Sequence, residues 1–289
     1  MDTQLSIEQQ VASRISTGIG ACTRAVFYPD GKNILYAGTF KLTNLRTIVA
    51  ENPCPQKMCS TQNERADAVL NRFLHSHDMM QLTTCYDIKP CNSNHPLSGR
   101  QFTWELFPSY DIFEVNQYGN VLRQLTDSLG YDAESAISPD GSKIVFTSMR
   151  SGDPEIWIMN SDGSDPVQLT HERGYDGGAS FSPDGKKIVF RASRPTTELE
   201  IEEYDKMLSY NLVSPLKMEI YTMNVDGTNM RQITDFGASS WGATYMYDSK
   251  RIIFTSNYEH VGRCGIFHIY MIEEETRHIE QVEKFQIVA

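Results

Sequence analysis

Gly130-Tyr131-Asp132-Ala133-Glu134-Ser135-Ala136-Ile137-Ser138-Pro139-Asp140-Gly141 returns 44 positions later as Gly174-Tyr175-Asp176-Gly177-Gly178-Ala179-Ser180-Phe181-Ser182-Pro183-Asp184-Gly185. The apolar run after each copy repeats too, as Lys143-Ile144-Val145-Phe146 and Lys187-Ile188-Val189-Phe190. A second signature keeps the register. Glu155-Ile156-Trp157-Ile158-Met159-Asn160-Ser161-Asp162-Gly163 matches Glu219-Ile220-Tyr221-Thr222-Met223-Asn224-Val225-Asp226-Gly227, 64 positions on, with the extra 20 lying between Arg194 and Met218. A degenerate copy, Asp111-Ile112-Phe113-Glu114-Val115-Asn116-Gln117-Tyr118-Gly119, stands 44 positions earlier. Outer copies are Phe27-Tyr28-Pro29-Asp30-Gly31-Lys32 and Tyr245-Met246-Tyr247-Asp248-Ser249-Lys250, the latter without Pro and Gly. Pro29 and Pro139 are 110 apart, one period plus an insertion of 66.

Each unit reads the same way. A small-residue strand enters a Pro-Asp-Gly turn (Pro29, Asp30 and Gly31; Pro139, Asp140 and Gly141; Pro183, Asp184 and Gly185). There proline presets φ and glycine supplies a positive φ. An Ile/Val/Phe strand follows, made of the residue types that fill a buried pleated sheet. A third strand ends at an Asp-Gly turn (Asp162 and Gly163; Asp226 and Gly227) and leads into a fourth, closing on Gln-Leu-Thr or Gln-Ile-Thr. Four antiparallel strands at a period near 44 predict the blade of an all-β propeller.

The Ser-Pro-Asp-Gly-Lys, Ile-Tyr-x-Met-Asn-x-Asp-Gly and Arg-Gln-Ile-Thr elements resemble the PD40 (WD40-like) repeats of TolB-like β-propellers. The resemblance runs over roughly 19–283, outside two insertions. It implies a ring of six blades, of which this chain supplies four: 19–127 with an insertion at 41–101, 128–172, 173–236 with an insertion at 195–217, and 237–283. Residues 1–18, through Val11-Ala12-Ser13-Arg14-Ile15-Ser16, read as the outer strand of a blade not in this chain, and 284–289 as a tail. A shortened chain, a closed four-blade ring and closure by a second chain all account for this. The resemblance implies a non-enzymatic scaffold that binds a protein or peptide, in a periplasmic or secreted setting. Related propellers also sit before prolyl-oligopeptidase-type hydrolases and amidohydrolases, so the alternative is a substrate-gating propeller whose catalytic domain lies elsewhere.

Charge bounds the partners. Lys and Arg number 26 against 37 Asp and Glu, a formal charge of −11, which disfavours nucleic acid and anionic membrane surfaces. No stretch approaches a membrane span, and Met1-Asp2-Thr3-Gln4-Leu5-Ser6 carries no signal-peptide pattern. A Gly-x-Ser-x-Gly elbow, a phosphate loop and a His-Glu-x-x-His helix are all missing from the sequence, so no enzymatic role and no cofactor is assigned.

Binding candidates come from the blade register. Asp132, Glu134 and Asp176 lie on or just before inner strands, where such carboxylates either cap turns as loop acids, the favoured reading, or ring a channel mouth that suits a cation or small molecule. Arg150, Arg191 and Arg194 close second strands, where an arginine reads a ligand carboxylate or pairs with a neighbouring acid. The first insertion holds His75, His77, Asp78 and His95 beside Cys54, Cys59, Cys85 and Cys91. Their spacing is not that of paired Cys-x-x-Cys knuckles; local disulfides, free thiols and zinc all fit it, and no metal is assigned. In the second insertion, Leu199, Ile201, Tyr204 and Leu208 predict a short helix within 197–210, packing on its own blade or offered to a partner.

Overall fold

In the computed structural model, residues 15–17, 21–43, 48–50, 104–261 and 266–282 are described, with 48–50 described as backbone only. In chain order, β1 (Cys22–Phe27) and β2 (Asn33–Gly38) are followed by a small hairpin, β3 (Phe40–Leu42) with β4 (Ile48–Ala50). Next come the short β5 (Trp104–Glu105), β6 (Asp111–Asn116) and β7 (Val121–Gln124). The run β8 (Asp132–Ile137), β9 (Lys143–Ser148), β10 (Glu155–Asn160) and β11 (Val167–Gln168) is uninterrupted. Then follow β12 (Asp176–Phe181), β13 (Lys187–Ala192), helix α1 (Glu198–Leu208), β14 (Leu212–Val213), β15 (Glu219–Asn224) and β16 (Arg231–Gln232). The last four are β17 (Ser240–Tyr245), β18 (Arg251–Ser256), β19 (His268–Glu273) and β20 (Ile279–Gln281). Among the described residues these make four antiparallel four-stranded sheets, ordered β1-β2-β6-β7, β8-β9-β10-β11, β12-β13-β15-β16 and β17-β18-β19-β20. Each is one propeller blade, numbered here from the first.

The repeated residues are there to satisfy the backbone. In the second blade Ser138 Oγ donates to Asp140 Oδ1 (2.6 Å) and accepts from Lys143 N (2.9 Å), while Ser142 N donates to Asp140 (3.0 Å). Ser182 and Asp184 repeat this in the third. The Ser-Pro-Asp-Gly turn is thus an interlocked side-chain clasp, with Gly141 at φ 76° and Gly185 at 71°. At the other end, the threonine of Gln-Leu-Thr accepts from the third strand: Ile112 N to Thr126 (2.9 Å), Ile156 N to Thr170 (2.8 Å) and Ile220 N to Thr234 (2.8 Å). Each threonine hydroxyl in turn donates to the acid opening that strand: Asp111, Glu155 or Glu219.

The core lies between sheets. Leu35, Ala37 and Ile112 of the first blade meet Ile144, Phe146 and Met159 of the second. Val145 and Ile156 then meet Ile188, Phe190 and Met223, and Val189 and Ile220 meet Ile252, Phe254 and Ile272. Successive residues of a strand point to opposite faces, so each blade presents one apolar face to each neighbour. The fourth strand of one blade also abuts the Asp-Gly turn of the next. A Cβ on Gly163 would stand 2.6 Å from Leu125 O. Ile15 takes the same place on the first blade, where a Cβ on Gly119 would stand 2.7 Å from Ile15 O. Of the expected outer strand 11–16, residues 11–14 lie outside the described residues, as does the tail 284–289.

The two insertions meet. β5 pairs antiparallel with β14, Trp104 opposite Val213 and Glu105 opposite Leu212. Helix α1 opens with a capping box between Thr197 and Glu200 and packs back through buried Tyr204, whose hydroxyl donates to Asp153. Leu106, Tyr110, Tyr131, Tyr175, Tyr204, Val213 and Met218 form one apolar cap across the ends of the inner strands.

Candidate functional site

Every inner strand carries a β-bulge at one register: between Thr23 and Val26, Ala133 and Ala136, Gly177 and Ser180, and Trp241 and Thr244. The first bulged residue has a positive φ in each: Arg24 (39°), Glu134 (54°), Gly178 (63°) and Gly242 (61°). A bulge re-aims a side chain out of the pleat; here it turns Arg24 towards Glu134, and Glu134 towards Gly178, the bulged residue of the next blade. Arg24 Nη1 donates to Glu134 O (3.3 Å). The Glu134 carboxylate accepts from Gly178 N (2.9 Å), Thr147 Oγ1 (3.2 Å), the Tyr175 hydroxyl and Arg191 Nη2. Glycine at 178 is required by approach as well as by φ, since a Cβ would stand 2.1 Å from Arg191 Nη1.

Burial pushes the Glu134 carboxyl up, but Arg191, Tyr175 and Arg24 together hold it below its ordinary value. Burial opposes the charge on Arg191, and Glu134 and Tyr175 more than offset it. Arg24 is pulled down, by burial first. Its only described hydrogen bond is to a carbonyl, so the cluster holds two guanidiniums against one carboxylate. Trp104 of β5 lies over Arg191 (4.8 Å) and meets Trp241 edge-on (4.4 Å), closing the site from the cap side.

The six candidates read from sequence fall into three acid–arginine pairs. Glu134 joins Arg191 at the bulges. Asp132 takes Arg150 (2.8 Å) and Ser128 (2.6 Å), and Asp176 takes Arg194 through both oxygens. Asp132 and Asp176 are fully buried, so these two pairs brace strand ends. Arg150 covers Trp157 (5.0 Å) and Arg194 covers Tyr221 (5.2 Å); at the same register in the first blade, Phe40 stacks on Phe113 (4.1 Å). Burial pushes Asp176 up to about 6 and its neighbour Glu155 up to about 8.

Residues 102–216 match the family model of the TolB beta propeller domain. That match takes in the second blade and much of the third, less than half of the chain. A TolB homolog of Chlorobium luteolum is 40% identical over 50 residues, 17% of this chain and 12% of the relative. The Tol-Pal system protein TolB of Bordetella pertussis is 47% identical over 47 residues, 16% of this chain and 11% of the relative. The aligned stretches thus span a small fraction of those proteins. A putative TolB structure from Agrobacterium tumefaciens superposes with a TM-score of 0.48 at 16% identity, covering 91% of this chain and 80% of that one.

Within the repeat, the signal for Arg24 was legible: like Glu134 and Gly178, it stands five residues before the turn proline. Trp104 had no such signal, because it lies outside the repeats. Cys54, Cys59, Cys85, Cys91, His75, His77, Asp78 and His95 lie outside the described residues. Among those described, no group of three or more His, Cys, Asp or Glu is arranged for a metal, and no helix is long and apolar enough to cross a membrane.

Proposed function

We propose that this chain is a non-enzymatic binding propeller whose bulge cluster receives a carboxylate-bearing segment of a protein or peptide. The observation that carries the reading is the charge imbalance at the bulges. Glu134 is engaged by Arg191, and half-buried Arg24 has, among the described residues, a single carbonyl partner. A guanidinium with donors to spare in a partly desolvated setting recognises carboxylates strongly and directionally. The acids in the three pairs are already neutralised, which favours an anionic over a cationic ligand. Gly242 leaves open space at its bulge, which gives a ligand room.

The test is a selection of displayed random peptides on the whole chain, followed by anisotropy titration. Enriched peptides carrying Asp, Glu or a free C-terminus, bound about tenfold more weakly by Arg24→Gln, are the expected result. No enrichment, or equal binding by the variant, would overturn the reading.

A further inference from the structure

The joint between blades is made the same way three times. The inner strand of one blade lies on the forward face of the blade before it: β8 on the first, β12 on the second and β17 on the third. The pieces buried at each joint can be matched by register. On the sheet side they are Leu35 and Ile112, Val145 and Ile156, and Val189 and Ile220, all at 0% exposure. On the strand side they are Ser135, Ala179 and Ala243, all buried, with Phe181 and Tyr245 at the strand ends.

Among the described residues, the first and fourth blades each carry half of this joint uncovered. On the fourth, Ile253 and Ile269 take the register of Val145 and Ile156 yet are only half-buried, as is Met271. Among the described residues, no inner strand lies upon this sheet. On the first blade, Cys22 and Ala25 of β1 are exposed where their counterparts are buried, and Phe27 is 60% exposed against 9% for Phe181 and 6% for Tyr245. Among the described residues, no sheet lies beneath this inner strand. A slot of about 250 Å³, lined by Ile15, Val26, Phe27, Ile34 and Tyr36 among others, opens beside it.

We propose that β1 of one copy seats on the β18–β19 face of a second copy, reproducing the joint already made by β8, β12 and β17. The occupant is a second copy because the two uncovered surfaces are the complementary halves of one interface, and this chain bears both. The contact is heterologous, so copies add head to tail and either close a ring or extend.

Sedimentation across micromolar concentrations, with two variants, tests this. Wild type should show a mass that rises with concentration. Phe27→Glu spoils the strand half and Ile253→Lys the sheet half, so each alone should stay monomeric. Mixed in equal amounts, they retain one intact pair of halves and should form a heterodimer and nothing larger. A compact wild-type monomer at every concentration would sink the proposal. So would assembly of either variant alone, or a mixture that stays monomeric. If a variant fails to unfold cooperatively, Ala25→Glu or Met271→Glu replaces it on the same surface.

Discussion

Glu134, on the inner strand of the second blade, and Arg191, on the second strand of the third, form an ion pair across the joint between two sheets, with 16% and 9% of their side chains exposed. A buried pair of this kind costs desolvation on both sides, so its two halves are not equivalent to its sum. Arg191→Met would strand the Glu134 carboxylate among Tyr175 and Thr147 and should cost about 3–5 kcal/mol in urea unfolding. Adding Glu134→Gln to it should recover a large part of that loss. If the double variant were as damaged as the sum of the singles, the two residues would not be coupled.

The buried acids of the third strands carry a pH signature of the opposite sign. Burial pushes Asp111 up to about 7 and Glu155 up to about 8. In the unfolded chain such carboxyls titrate near about 4. The folded protein therefore holds protons that the unfolded chain has released. Their contribution to stability is fully present below the unfolded value and is lost as pH rises through the folded values. Glu134, held low, works the other way, and its contribution is lost only as pH falls below the carboxylate range. The melting temperature should thus decline from mildly acid to mildly alkaline pH. Glu155→Gln keeps an acceptor for Thr170 and should flatten the decline. An unchanged slope in scanning fluorimetry would rule Glu155 out as its source.

Two glycines with similar backbone torsions should respond differently to alanine. Gly31 has φ 67° and open space where a Cβ would go; Gly163 has φ 91° and would place that Cβ 2.6 Å from Leu125 O. Gly31→Ala should cost only the left-handed torsion, about 1–2 kcal/mol. Gly163→Ala must also separate the first two blades and should cost distinctly more. Equal losses in chemical denaturation would show that the Leu125 contact yields freely.

The non-enzymatic reading has its own check. The sequence has no nucleophile elbow, and its nearest run, Gly237-Ala238-Ser239-Ser240-Trp241-Gly242, enters an inner strand with Ser239 and Ser240 buried. Ser240 Oγ donates to Ser256 Oγ at 3.0 Å, with no histidine described as its partner. A fluorophosphonate probe should therefore leave the protein unlabelled. Stoichiometric modification of one serine would contradict the proposed function.

What the sequence by itself determined here is local. The period of 44, the Pro-Asp-Gly and Asp-Gly turns and the four-strand order follow from backbone torsions and from side chains that bond to backbone within a few positions, as Ser138 and Asp140 do. Even the pairing of Asp132 with Arg150 and of Asp176 with Arg194 is implicit in antiparallel register, because strand ends 18 positions apart face each other across one hairpin. Only the tertiary structure decided what happens between sheets. Glu134 reaches Arg191 across 57 positions, and Trp104 covers that arginine from an insertion outside the repeats. The pairing of β5 with β14 joins two segments that share no pattern. These contacts depend on the angle at which one blade packs on the next, which is set by the summed fit of buried side chains such as Val145, Ile188 and Phe190. No single stretch of chain encodes that angle, so bulge residues that are legible one by one became a site only when the blades were assembled.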